Sequence, residues 1–104
     1  LVNRGDICWA ELKDAGRRPV LVLTRSEAIP VLSRILIAPL TRTIRGIPTE
    51  VTLGPEDGAP DECAASFDNV QLIGRGLLSE PITHLSGPRM HEVCRALAIA
   101  TGCD

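Results

Sequence analysis

Apolar residues fall in short runs separated by Gly, Pro and polar breaks, the spacing of a compact β domain. Ile7 to Leu12 (ICWAEL) reads as a first strand, entered from a turn at Arg4-Gly5-Asp6. Lys13 to Arg17 is a loop. Pro19 to Thr24 (PVLVLT) is apolar on both faces, as a central strand is, and Pro19 sits where a missing N–H does least harm. Arg25 to Ser33 is ambiguous, with a short helical turn ended near Pro30 as one reading. Arg34 to Thr41 (RILIAPLT) is a third strand, in which Pro39 cannot donate to a ladder, so pairing should loosen just before Thr41. Thr49 to Leu53 follows as a fourth strand, then a turn-rich acidic loop from Gly54 to Glu62 and a fifth strand from Cys63 to Ile73. The segment GRGLLSEPITHLS can hold a helical turn and a last strand.

The clearest element is a C-terminal helix. Ser86 or Gly87 caps it, Pro88 suits its first turn and Gly102 stops it. Met90, Val93, Cys94, Leu97, Ala98 and Thr101 recur at the spacing of one buried face. The expected architecture is mainly β (α+β), with five to six strands and a terminal helix, in a single domain over residues 1–104.

Length and composition narrow the class. A chain of 104 residues, 44% hydrophobic, can close one core unaided. Its apolar runs are too short to span a bilayer, and no basic stretch followed by an apolar core opens it, so the expected setting is cytoplasmic and away from the membrane. Cys8, Cys63, Cys94 and Cys103 form no C-x-x-C pair, and His84 and His91 are not at ligand spacing with them. The reading is reduced thiols, with Cys94 in the helix core, and no metal site or cofactor.

The net charge of −2 is unevenly spread. Residues 1–52 hold eight Arg/Lys and five Asp/Glu, a balance of +3, whereas residues 53–104 hold three Arg and eight Asp/Glu, a balance of −5. Ten of the eleven cations are Arg, whose planar fork fits phosphate oxygens in pairs, so the basic half is a candidate nucleic-acid surface. With no Tyr, one Phe and one Trp, a platform stacking several RNA bases is excluded. No phosphate-binding Gly-rich loop or nucleophile elbow is present. His84, beside the helix start, is either a local hydrogen-bonding residue or a proton acceptor. Arg18, at the mouth of a central strand, and Thr41, at the end of the next, could grip one phosphate if the strand ends converge. On spacing alone, a solvated loop and an ordinary β-branched strand end describe them as well.

Taken in order, RGDICWAEL, RRPVLVLT, ILIAPLT, GIPTEVTL, SFDNVQLI and ITHLSGPRMHEVCRALAIATG resemble the strands and closing helix of the MazF/PemK family of toxin endoribonucleases, over nearly the whole chain. The resemblance implies an SH3-like, partly open barrel of the CcdB/PemK-like toxin fold. It also implies a homodimer and metal-independent, sequence-specific cleavage of single-stranded RNA in a type II toxin–antitoxin system. An acidic, partly disordered antitoxin would inhibit the toxin, and contact with DNA would come only through that antitoxin. Position by position it makes Arg18 and Thr41 the catalytic pair and places Asp68 and Asn69 near the RNA groove. Arg17, Arg42, Thr43, Arg45 and Gln71 complete the expected RNA-binding set. The chain departs from the family in two places. The loop before Arg18 is only KDAGR, and Val70 to Ile73 stands where members often carry Ile-Arg-Thr-Ile; both bear on which RNA word is read. Two other classes compete: a gyrase-poisoning toxin of the CcdB type, and a non-catalytic, partner-binding autoregulatory module.

Overall fold

The computed structural model describes residues 1–104. Seven antiparallel strands run in chain order: β1 (Asp6–Leu12), β2 (Gly16–Val22), β3 (Arg34–Thr41), β4 (Glu50–Leu53), β5 (Cys63–Ser66), β6 (Gln71–Gly74) and β7 (Leu78–His84), followed by α1 (Gly87–Thr101). The spatial order is β4-β5-β3-β2-β1-β7, with β6 also on β3. The outermost strands, β4 and β7, do not pair with each other, which leaves the barrel partly open.

Local chemistry explains the turns. The β1–β2 hairpin closes at Leu12↔Gly16, and Gly16 takes φ +71°, a backbone region that costs glycine least. Ser86 caps α1 by accepting the Arg89 N–H, and Gly102 at φ 72° ends it in the left-handed form. The Arg4-Gly5-Asp6 turn is tied by the Asp6 carboxylate, which accepts the Asn3 N–H at 2.8 Å.

Two expectations need correction, and one ambiguity is resolved. The run Cys63 to Ile73 is not one strand. A 3-10 turn at Phe67–Asn69 breaks it into β5 and β6, both on the same edge of β3. Phe67, the chain's one phenylalanine, is buried in the core and makes the break worth its lost ladder bonds. This raises the strand count from five or six to seven. Arg25 to Ser33, ambiguous in its sequence, is a run of turns in which the Ala28 carbonyl accepts the Leu32 N–H as one turn of helix would, and it drives Ile29 into the interior. Cys94 is exposed, because the helix turns Met90, Val93, Ala96, Leu97 and Ala100 toward the core instead.

The two faces of the sheet carry separate cores. One lies under α1 and contains Ile7, Leu21, Leu40, Phe67 and Val93. The other lies on the opposite face and contains Cys8, Val20, Ile35 and Ile37, with Ile29 folded over it. Burial pushes the Cys8 and Cys63 thiols up to about 11, helped by Asp6 and Asp61 respectively. Their thiolates are scarce at neutral pH, whereas Cys94 and Cys103 are exposed. Iodoacetamide at about pH 8 should therefore alkylate Cys94 and Cys103 in the native chain and reach Cys8 and Cys63 only after denaturation, as read by peptide mass mapping. Native labelling of Cys8 would contradict this packing.

Candidate RNA-cleavage site

β2 and β3 pair at Val22↔Ile37, Leu21↔Ala38 and Val20↔Pro39, and there the ladder stops. Pro39 is the last residue of β3 paired with β2, as its missing N–H led us to expect, but Leu40 and Thr41 go on to pair with Ala65 and Ala64 of β5. Counting on in the same register sets Arg18 across from Thr41, on the face that carries Val20 and Ile37. β2 and β3 part at this point, Arg18 staying paired with Ala10 on β1 and Thr41 with Ala64 on β5, so the extended register sets an arginine and a threonine on either side of the opening.

Their partners leave both available. Arg18 is exposed, and its Nε donates to the Ala15 carbonyl at 3.0 Å, which steadies the base of the guanidinium. Thr41 is half-buried, and its Oγ1 accepts the Thr43 N–H at 3.1 Å. A hydroxyl that accepts one bond in this way keeps its own proton to donate.

Arg17, Arg18 and Arg42 line a cleft of about 140 Å³ together with Trp9, Leu40 and Asp61. Arg17 and Arg18 have no carboxylate partner, so their charge is uncompensated. Arg42 is engaged with Asp61 at 2.8 Å, but with side chains 81% and 56% exposed this pair is weak and exchangeable. The Arg45 N–H donates to Glu50 Oε1 at 3.0 Å, and its guanidinium lies 3.8 Å from Oε2. The Glu50 side chain is buried, and its bonds to Arg45 tether the loop that follows Thr41.

The remaining expected residues lie elsewhere. Asp68 accepts the Thr49 hydroxyl at 2.6 Å, and Asn69 donates to Ser66 Oγ at 2.8 Å, both on the 3-10 turn beyond β5. Gln71 is exposed and pairs with Ile37 on the far edge of β3. None of these three lines the cleft, and neither do Thr41, Thr43 or Arg45. His84 is not there either: its Nδ1 is 2.7 Å from Asp6 Oδ1 at the start of β1. Sequence reasoning passed over Trp9, Asp61 and Glu50. For Trp9 the available signal was its place in β1 directly across from Pro19, beside the Arg pair.

A family model described as PemK-like, MazF-like toxin of type II toxin–antitoxin system matches residues 3–101. A probable endoribonuclease MazF5 of Mycobacterium tuberculosis is 43% identical over 105 residues, covering all of this chain and 96% of that protein. The solved Mycobacterium tuberculosis toxin MazF-mt6 superposes with a TM-score of 0.88 at 33% identity, covering 95% of this chain and 98% of that one. An endoribonuclease in complex with its cognate antitoxin, from a mycobacterial species, superposes with a TM-score of 0.90 at 26% identity, covering 100% and 98% of the two chains.

Proposed function

The chain belongs to the PemK-like, MazF-like toxin endoribonucleases of type II toxin–antitoxin systems, and from that premise we propose that Arg18 and Thr41 cut single-stranded RNA by turning its own 2′-hydroxyl on the adjacent phosphate. The observation that carries this is the facing of Arg18 and Thr41 across the opening between β2 and β3, with Arg18 reaching the cleft that Arg17 and Arg42 also line.

The 2′-oxygen attacks phosphorus, loses its proton to a base, and the bond to the 5′-oxygen breaks as that oxygen gains a proton. The products are a 2′,3′-cyclic phosphate and a 5′-hydroxyl. Negative charge builds on the non-bridging oxygens in between, and fixed donors aimed at them lower the barrier. A guanidinium stays protonated and presents two parallel N–H groups, which suits Arg18 to hold that charge. Thr41 adds one hydroxyl donor. Arg17, Arg42, Thr43 and Arg45 hold flanking phosphates, and Arg42 exchanges Asp61 for RNA as it does so. Asp68, Asn69 and Gln71 contact RNA farther along the chain's surface.

Residues 1–104 act as one toxin domain, in two copies that extend the RNA groove. Leu72 on β6 and Leu77 beside it are exposed, apolar and suited to a partner surface. The inhibitor is an acidic antitoxin laid over the basic cleft, and DNA is reached only through it. No helix is long and apolar enough to cross a membrane.

Incubation of the purified protein with a long single-stranded RNA in excess EDTA is the direct test. Cleavage at a short recurrent word, with cyclic-phosphate ends, is expected. Intact RNA, or fragments ending in 5′-phosphate, would overturn the mechanism.

A further inference from the structure

Trp9 is the chain's one tryptophan and it belongs to neither core. It is the only apolar residue of β1 that is not buried. A side chain this large is ordinarily a core or interface residue, so its position calls for a ligand. Three features single out its surroundings. The guanidinium of Arg17 lies over the ring, 5.2 Å from its centroid, a cation–π distance. The β1–β7 register slips between Cys8↔Pro81 and Ala10↔Leu78, and the Trp9 N–H leaves the ladder to donate to Ser79 Oγ at 2.9 Å. Irregularities of this kind re-aim a side chain beside functional sites. Finally, Trp9 and Arg17 wall two clefts at once: the one of about 140 Å³ that Arg18 lines, and a neighbouring one of about 460 Å³ bounded by Leu77 and Ser79.

We propose that Trp9 and Arg17 form a nucleobase-stacking site that seats a base next to the phosphate held by Arg18. The proposal rests on the RNA-cleavage reading above and adds to it where substrate is gripped through a base rather than through its backbone. A single stacking pair is compatible with the scarcity of aromatic residues, because one ring and one guanidinium plane are enough to hold one base. At 5.2 Å the gap between ring and guanidinium is too narrow for a base to enter. The base therefore extends the stack from outside, with Arg17 supplying charge to the phosphate of the same nucleotide.

Because Trp9 is the sole tryptophan, intrinsic fluorescence reports on this site without a label. The wild-type protein is titrated with short 2′-O-methyl oligonucleotides of A, of C and of U, which cannot be cleaved, and with a base-free 2′-O-methyl ribose–phosphate strand of equal length. Saturable quenching that differs among the three bases and vanishes for the base-free strand is expected. Equal quenching by the base-free strand, or none by any strand, would overturn the site. Binding of the best labelled strand, followed by anisotropy, should weaken roughly tenfold in Trp9→Leu and recover most of that loss in Trp9→Phe, in the range seen when a stacked base loses its aromatic partner. Equal affinities for the two variants and wild type would also overturn it. A protein that cleaves RNA yet shows no base-dependent quench fails this inference alone. One that quenches as expected yet leaves RNA uncut fails the cleavage mechanism alone. Quenching by an acidic peptide of alternating Glu and Leu, with no response to any oligonucleotide, would assign the surface to a protein partner and overturn the proposal.

Discussion

Arg18→Ala should cut single-turnover RNA cleavage by about 10²-fold or more, the scale of losing one preorganised donor to a developing oxyanion. The fold should survive. Arg18 is exposed and its one protein hydrogen bond is to the Ala15 carbonyl, so the change in stability should stay within about 0.5 kcal/mol. Arg18→Lys restores a positive charge but not the fork, and it should recover only part of the rate. Thermal melting and a cleavage time course on the same preparations check both statements. A purified Arg18→Ala protein that cuts at the wild-type rate would remove Arg18 from the mechanism. The prediction separates chemistry from binding. The uncompensated charge of Arg17 remains in the variant, so RNA affinity should fall far less than rate.

The largest stability effect is expected where α1 meets the acidic loop. Arg89 on the first turn of α1 grips Asp57 with two parallel bonds, Nε to Oδ1 at 2.9 Å and the terminal nitrogen to Oδ2 at 3.1 Å. The side chains are only 25% and 10% exposed. Asp57 also accepts the Gly54 N–H, and its carbonyl accepts the Thr83 hydroxyl, so one residue ties the acidic loop to both α1 and β7. Arg89→Ala leaves that carboxylate shielded without its partner and should cost about 2–3 kcal/mol in denaturant unfolding. An effect below about 0.5 kcal/mol would mean that the pair is dispensable.

The same pair sets an acid dependence. The Arg89 guanidinium holds the Asp57 carboxyl below its ordinary 3.8, with the Gly54 N–H assisting and burial opposing. The folded chain therefore takes up this proton at a lower pH than the unfolded chain. The stabilisation is whole above about pH 5 and drains away as pH falls through 3.8 toward the depressed folded value. Arg89→Ala should flatten that part of the stability–pH curve. An unchanged acid limb would assign it to other carboxylates.

Much of this was legible in the chain. Short apolar runs between Gly, Pro and polar breaks marked most of the strands, and Pro39 foretold where the β2–β3 ladder opens. But β2 begins at Gly16 and so takes in part of the expected loop, with Pro19 inside the strand rather than at its start. The misses have physical causes. An apolar run from Cys63 to Ile73 reads as continuous because periodicity does not see a 3-10 turn whose Phe67 is itself apolar. Cys94 fits a helical stripe as well as Ala96 does, and only the docking angle of α1 on the sheet decides between them. Trp9 was overlooked because alternation on β1 gives it a core-facing phase, yet the core under α1 ends before reaching it. The ion pair of Arg42 with Asp61 joins residues nineteen apart through a loop whose path no local pattern dictates.

The turn at Phe67–Asn69 has a bearing on how the chain can evolve. Along β3 the partner of Leu40 is Ala65, but the partner of Ile37 is Gln71 rather than a residue three places on from Ala65. The turn thus adds an odd number of positions, and side chains of one parity change sides across it. Ala65 and Phe67 pack beneath α1, while Ile73 packs in the opposite core. A deletion or insertion of a single residue here would trade Ile73 for Leu72 along the whole of β6, turning a core strand inside out. The length of this turn is thus constrained independently of its side chains, and gaps in alignments of this domain should fall outside it.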